Sequence, residues 1–133
     1  MRRALSHERA PVLGWVERGF GNGWAGEVAT ALGAQPATCF LALQNGELAG
    51  FACFDTTYRG FFGPLGVGEA FRGRGIGRSL LLATLDAMRH AGYAYAVVGA
   101  AAATGFYENV AGAREIAGSS PGPYPAPLQG LKG

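Results

Sequence analysis

The chain has 133 residues and a formal net charge of +2, enough length for one domain with a sizeable core and too little charge to mark a nucleic-acid binder. No apolar run reaches the roughly 18 residues of a membrane-spanning helix. Arg2 and Arg3 lead into no apolar stretch, so no secretion signal is expected and the expectation is a cytoplasmic protein.

In chain order, Pro11 to about Phe20 reads as a helix with Val12, Trp15 and Val16 on one side, broken by Gly21-Asn22-Gly23. Trp24–Leu32 reads as a second helix, stopped by Gly33. Thr38–Leu43 and Leu48–Tyr58 form a hairpin about Asn45-Gly46, and both arms are apolar almost without alternation, which predicts that both faces of the sheet are covered. Closing the hairpin at Gln44 and Glu47 pairs Cys39 with Ala52 and turns Cys53 to the opposite face, so both cysteines are expected as buried free thiols. Phe61–Val67 is a further strand. Ile76–Ala91 is a long amphipathic helix through Ile76, Leu80, Ala83 and Ala87, and His90 with Gly92 marks its end. Tyr93–Val98 is expected as a fifth buried strand, Thr104–Val110 as a short helix and Ala113–Ile116 as a strand. The composition divides residues 1–117 from a Pro- and Gly-rich tail at 118–133, expected to be extended or disordered.

The most informative stretch is Arg72-Gly73-Arg74-Gly75-Ile76-Gly77-Arg78, between the strand ending at Val67 and the long helix. Glycine leaves backbone N–H groups uncovered, and a helix start adds unpaired N–H groups and a partial positive charge. Such a loop suits a phosphate or pyrophosphate, and its arginines strengthen the local field. The dinucleotide fingerprint GxGxxG fails because Arg78 stands at its third glycine, and a Walker loop would lack both its first glycine and its lysine. The pattern [RQ]xxGx[GA] is met by Arg72, Gly75 and Gly77.

That pattern, followed about thirty residues later by Phe106-Tyr107-Glu108-Asn109, resembles the two signatures of the GNAT-type N-acetyltransferase superfamily, and the likeness runs from about Ala4 to Ile116. It implies an α/β domain of the α+β type: a central, mostly antiparallel mixed sheet with helices on both faces. The first strand would be short or absent, with Ala4-Leu5 as its remnant. It also implies acetyl-CoA as co-substrate and an amine of a small molecule or protein terminus as acceptor. By motif position, Arg72, Gly73, Arg74, Gly75, Ile76, Gly77 and Arg78 would hold the cofactor's phosphates. Leu65 would offer its N–H to the acetyl oxygen, Val67 would pair with pantetheine, and Tyr107 would protonate the leaving thiolate. No metal, nucleic acid or membrane partner is implied. A homodimer could cover an exposed sheet edge.

The sequence also departs from the family pattern. Phe61 and Phe62 stand where many members carry a glutamate base, and Ala101-Ala102-Ala103-Thr104 replaces the asparagine before the second signature. Asp55 and Glu69 are the nearest acids; either could act through water, but each is read first as a solvated carboxylate. The acceptor is expected over the first two helices, near Trp15, Phe20 and Trp24. These departures leave a catalytically silent acyl-CoA-binding or regulatory module as the alternative.

Overall fold

A computed structural model describes residues 1–99, 103–119, 122–125 and 128. The elements are β1 (Arg2–Arg3), α1 (Arg9–Phe20), α2 (Asn22–Gly33), β2 (Cys39–Gln44), β3 (Glu47–Phe54), β4 (Phe61–Val67), α3 (Ile76–His90), β5 (Val97–Val98) and α4 (Thr104–Ala111). The strands lie in the order β1-β2-β3-β4-β5, antiparallel up to β4, with β4 and β5 parallel. This is the α/β architecture expected, with helices on both faces.

Alternation along the hairpin arms sends side chains to two cores. Cys39, Leu41, Phe51 and Cys53 pack beneath Val12, Val16, Val28, Ala31 and Leu32 of α1 and α2. Ala42, Ala52 and Phe54 pack with Ile76, Leu80, Leu81 and Met88 of α3. β3 is buried from Ala49 to Phe54, as its continuous apolar run requires of a strand covered on both faces.

The hairpin turns at Asn45 (φ 51°) and Gly46 (φ 82°) and pairs Gln44 with Glu47, as expected. A bulge between Ala42 and Leu43 then shifts the register, so Cys39 faces Cys53 rather than Ala52. One extra residue in one arm restores a shared face. The two cysteines are buried free thiols side by side, and burial, then Cys39, pushes the Cys53 thiol up.

Three further expectations are corrected. The first strand is Arg2–Arg3, not Ala4-Leu5, and it is held by its side chains: Arg2 makes a bidentate pair with Glu8 (2.8 and 2.6 Å), while Arg3 lies over Phe40 and Phe54 and donates to the Ala37 carbonyl. The fifth strand is only Val97–Val98 and half-buried, because Tyr93 turns to bond Asp55 and Tyr95 is 79% exposed. Ala113–Ile116 forms no strand. Among the described residues, no helix is long and apolar enough to cross a membrane.

Glu8 ties β1 to α1, because its carboxylate also accepts the Leu5 N–H at 2.8 Å. The Arg2 hydrogen bond, then the Leu5 N–H, lowers its pKa to about 2. A carboxyl depressed on folding stabilises the fold above its unfolded value, and that gain is lost as pH falls through the folded value. Glu8→Gln should therefore cost up to about 1 kcal/mol at pH 7, the modest size reflecting solvent screening. Urea melts of the two proteins should converge as the pH drops from about 4.5 towards 2. A constant difference across that range would refute the assignment.

Candidate functional site

The glycine loop turns the chain between β4 and α3. Gly73 (φ 79°) and Gly75 (φ 78°) take left-handed conformations that disfavour side chains, and Gly75 is the residue capping α3. Ser79 is the first helical residue to donate back along the chain, to Gly75 at 3.1 Å. The N–H groups of Ile76, Gly77 and Arg78 are thus left without intrahelical acceptors. A Cβ at Gly77 would sit 3.7 Å from Phe106 and Val67, ordinary contact, so alanine fits there as the motif allows. Arg72, Arg74 and Arg78 are exposed, and no carboxylate among the described residues pairs with them.

Beside this loop lies an unpaired strand edge. Among the described residues, β4 pairs with β5 only through Phe61 and Phe62. At Gly63 (φ 122°) the strand bulges, and its pairing with β3 slips between Phe62 and Leu65. Further on, Gly68 donates to the Ala49 carbonyl at 2.8 Å. In an antiparallel ladder the alternation then turns the Gly66 N–H towards β3 and those of Leu65 and Val67 towards the open side. The Val67 carbonyl, on that same side, accepts Nε of Arg72 at 3.1 Å, which fastens the loop to the strand edge. The two glycines of β4 serve different ends. Gly63 makes the bulge; Gly66 is a close approach, since a Cβ there would lie 2.7 Å from Phe20 and 2.8 Å from Phe51.

α4 completes the arrangement. Leu65, Val67, Phe106 and Tyr107 all pack on the α3-side core, and Gly77 lies beside both Phe106 and Val67, so the strand edge, the loop and the second signature meet there. Tyr107 stands edge-on to Phe62 (5.9 Å between ring centres) and Phe106 (5.1 Å). Burial pushes its phenol up, and no described residue bonds its hydroxyl, so at neutral pH it is a protonated, uncommitted donor.

The candidate acids divide. Glu69 is exposed in a short turn after β4. Asp55 is not the solvated carboxylate expected. It has a left-handed backbone (φ 58°), and it accepts Gly60 N–H at 2.7 Å and Tyr93 Oη at 2.8 and 2.9 Å. That bond is the main reason the Tyr93 phenol is raised, and it makes Asp55 a structural clamp on the β3–β4 connection.

A cavity of about 920 Å³ opens between β5, α4 and the C-terminal segment, with Tyr107, Phe61 and Tyr124 among its walls. Trp15, Phe20 and Trp24, expected near the acceptor, do not line it. They form an aromatic cluster about Phe51, with Phe20 and Trp24 stacked at 5.2 Å. Sequence reading missed Tyr124; its one signal was an aromatic residue between two prolines in the Pro- and Gly-rich tail.

Comparison with known proteins agrees with this geometry. Residues 8–113 match the model of the Acetyltransferase (GNAT) family. No curated protein matches the chain. Among solved structures, it is similar to a GNAT family acetyltransferase from Brucella melitensis in complex with acetyl-CoA (24% identity, 81% of this chain and 78% of that one, TM-score 0.61). It is also similar to the ribosomal-protein-alanine N-acetyltransferase from Brucella melitensis biovar Abortus 2308 (21% identity, 92% of each chain, TM-score 0.62). A third is the GNAT family N-acetyltransferase YhbS from Escherichia coli in complex with CoA (21% identity, 69% of this chain, TM-score 0.56). The chain spans only 57% of the length of that protein and 41% of a similar Pyrococcus horikoshii chain. At these identities the structures speak for the fold, while the family match covers most of the chain: the protein belongs to the GNAT acetyltransferase family.

Proposed function

We propose that the chain moves an acetyl group from acetyl-CoA to an amine of a small molecule or protein terminus. The observation that carries this reading is the meeting of the α3 N-terminus, whose N–H groups no side chain caps, the open edge of β4 and Tyr107. Acetyl-CoA supplies an activated thioester. The N–H groups of Gly73, Gly75, Ile76, Gly77 and Arg78 hold its pyrophosphate in this proposal, and the side chains of Arg72, Arg74 and Arg78 add charge-assisted bonds. Val67 pairs with the pantetheine arm as an added strand would. Leu65 donates its N–H where negative charge develops on the acetyl oxygen. Tyr107 protonates the departing thiolate.

β4 offers no carboxylate, and both oxygens of Asp55 are taken by Tyr93, so the reading assigns the amine's proton to water. The logarithm of kcat/KM should then climb with unit slope towards the free pKa of the amine, about 10 for an alkylamine. Because the Tyr107 phenol is raised, any falling limb belongs above the ordinary tyrosine range. A plateau between pH 6 and 8 would reveal a side-chain base instead.

Calorimetry with coenzyme A tests the cofactor site. The double change Gly75→Asp with Gly77→Asp places two carboxylates against the phosphates and should abolish binding; unaltered affinity would remove the site. Gly77→Ala should bind nearly as the parent does, whereas Gly75→Ala pays about 1–2 kcal/mol for its left-handed backbone. Tyr107→Phe keeps the ring and deletes the proton, so kcat should fall roughly 10²-fold or more, with coenzyme A affinity and the melting curve little changed. Full activity in that variant would assign the proton to water. Tight coenzyme A binding with no thiol release over a broad amine library would favour the silent module, which the missing β4 glutamate recommends.

A further inference from the structure

The acetyl-transfer reading leaves one wall of the cavity unused: the C-terminal segment. Its Gly122–Tyr124 stretch is fixed at three points. Tyr58 Oη donates to the Pro123 carbonyl at 3.1 Å. The Tyr124 ring meets Tyr58 at 5.9 Å and stands edge-on to Phe61 at 6.4 Å. The Tyr124 hydroxyl also lies against Gly99 so closely that a Cβ there would overlap it. Phe61 is the first residue of β4, and Gly99 is the first beyond β5. Tyr124 is therefore held where the two strands have just parted, in the cavity that Tyr107 also lines.

We infer that Gly122–Tyr124 form the acceptor-side wall of the transfer site, that Tyr124 is its positioning residue, and that the acceptor is a small monoamine on an aromatic or aliphatic body. The inference rests on the proposed acetyl transfer and deepens it. A volume of about 920 Å³ is that of a small-molecule site. Phe61, Tyr95 and Tyr124 offer ring faces and edges, which suit a flat or aliphatic body and attract an ammonium group. The lining also carries two carboxylates, Glu108 and Glu115, and one guanidinium, Arg114. Two negative charges against one positive leave a single net negative charge, matched to one ammonium rather than to a polycation. Burial, then the charge of Glu27, pushes the Tyr124 phenol up, so its hydroxyl stays neutral and able to donate at physiological pH.

The test titrates the full chain with coenzyme A, and separately with phenethylamine, hexylamine and glucosamine, each with and without coenzyme A; thiol release gives the rates. Coenzyme A binding reads the transfer proposal, and amine selectivity reads this one. The apolar amines should show a KM roughly tenfold or more below that of the amino sugar. Tyr124→Ala should raise the KM for phenethylamine roughly tenfold, more than it changes kcat, with coenzyme A affinity within about twofold of the parent. Gly99→Ala, which expels the ring, should do the same, and should add nothing in the Tyr124→Ala background. An unchanged amine KM in Tyr124→Ala, or preference for glucosamine, overturns the inference. Coenzyme A binding with no uptake of any amine overturns it while the cofactor site stands. Loss of both kinds of binding in the parent protein overturns both.

Discussion

Everything at the site follows from the parting of β4 from β5. Two paired residues, Phe61 and Phe62, hold the strands together; at Gly63 the backbone turns through φ 122° and the next residues of β4 have no strand on that side among the described residues. Backbone N–H and C=O groups inside a fold are rarely left without partners. Among the described residues none pairs with the outward N–H groups of Leu65 and Val67, which an extended ligand backbone would satisfy. Arg72 fills one of the vacant acceptors, the Val67 carbonyl, and so couples the glycine loop to the same edge.

The open edge needs bracing from behind. Phe20 and Phe51 press on Gly66 at distances no side chain there could tolerate, and Trp15 and Trp24 pack edge-on against Phe51. This aromatic layer on the α1–α2 side holds the middle of β4 against β3. On the other side Phe106 packs near Gly77 and Val67, so α4 touches the helix start and the strand edge together. The residues that brace the gap are thus large and apolar, while those facing it are backbone and glycine. That division accounts for where Trp15, Phe20 and Trp24, prominent in sequence, lie: about Phe51, behind β4.

What could be read from sequence was whatever is set by short-range spacing. The loop pattern at Arg72, Gly75 and Gly77, the Asn-Gly turn, and the stripe of α3 depend on local conformation, and each lies within a residue or two of its expected place. What escaped depends on partners far along the chain. The bulge at Ala42–Leu43 changes the face of Cys53, yet a bulge of ordinary residues has no compositional mark. Arg2–Arg3 forms a strand because Glu8, Ala37, Phe40 and Phe54 receive its side chains, and nothing in two arginines announces it. Tyr93–Val98 reads as a buried strand, but at the margin of the sheet only Val97 and Val98 find a partner, while Tyr93 is drawn to Asp55. Asp55 was legible as an acid and not as a clamp, since its task is defined by Gly60 and Tyr93.

The same distinction bears on the tail. By composition the chain divides near residue 117, and a Pro- and Gly-rich segment buries too little to fold alone. Prolines, however, lower the entropy lost when a segment is placed, and one large ring can then hold it. Pro123 and Tyr124 meet that condition, and the rest of the fold meets it reciprocally. Tyr58 offers a donor, Phe61 an edge, and Gly99 the absence of a side chain just where the hydroxyl lies. With β5 reduced to two residues, the fold has little strand with which to wall the open side of the sheet. In the proposed site, Gly122–Tyr124 supply that wall with a handful of contacts, and Tyr124 shapes the cavity beside residues of the family pattern such as Tyr107.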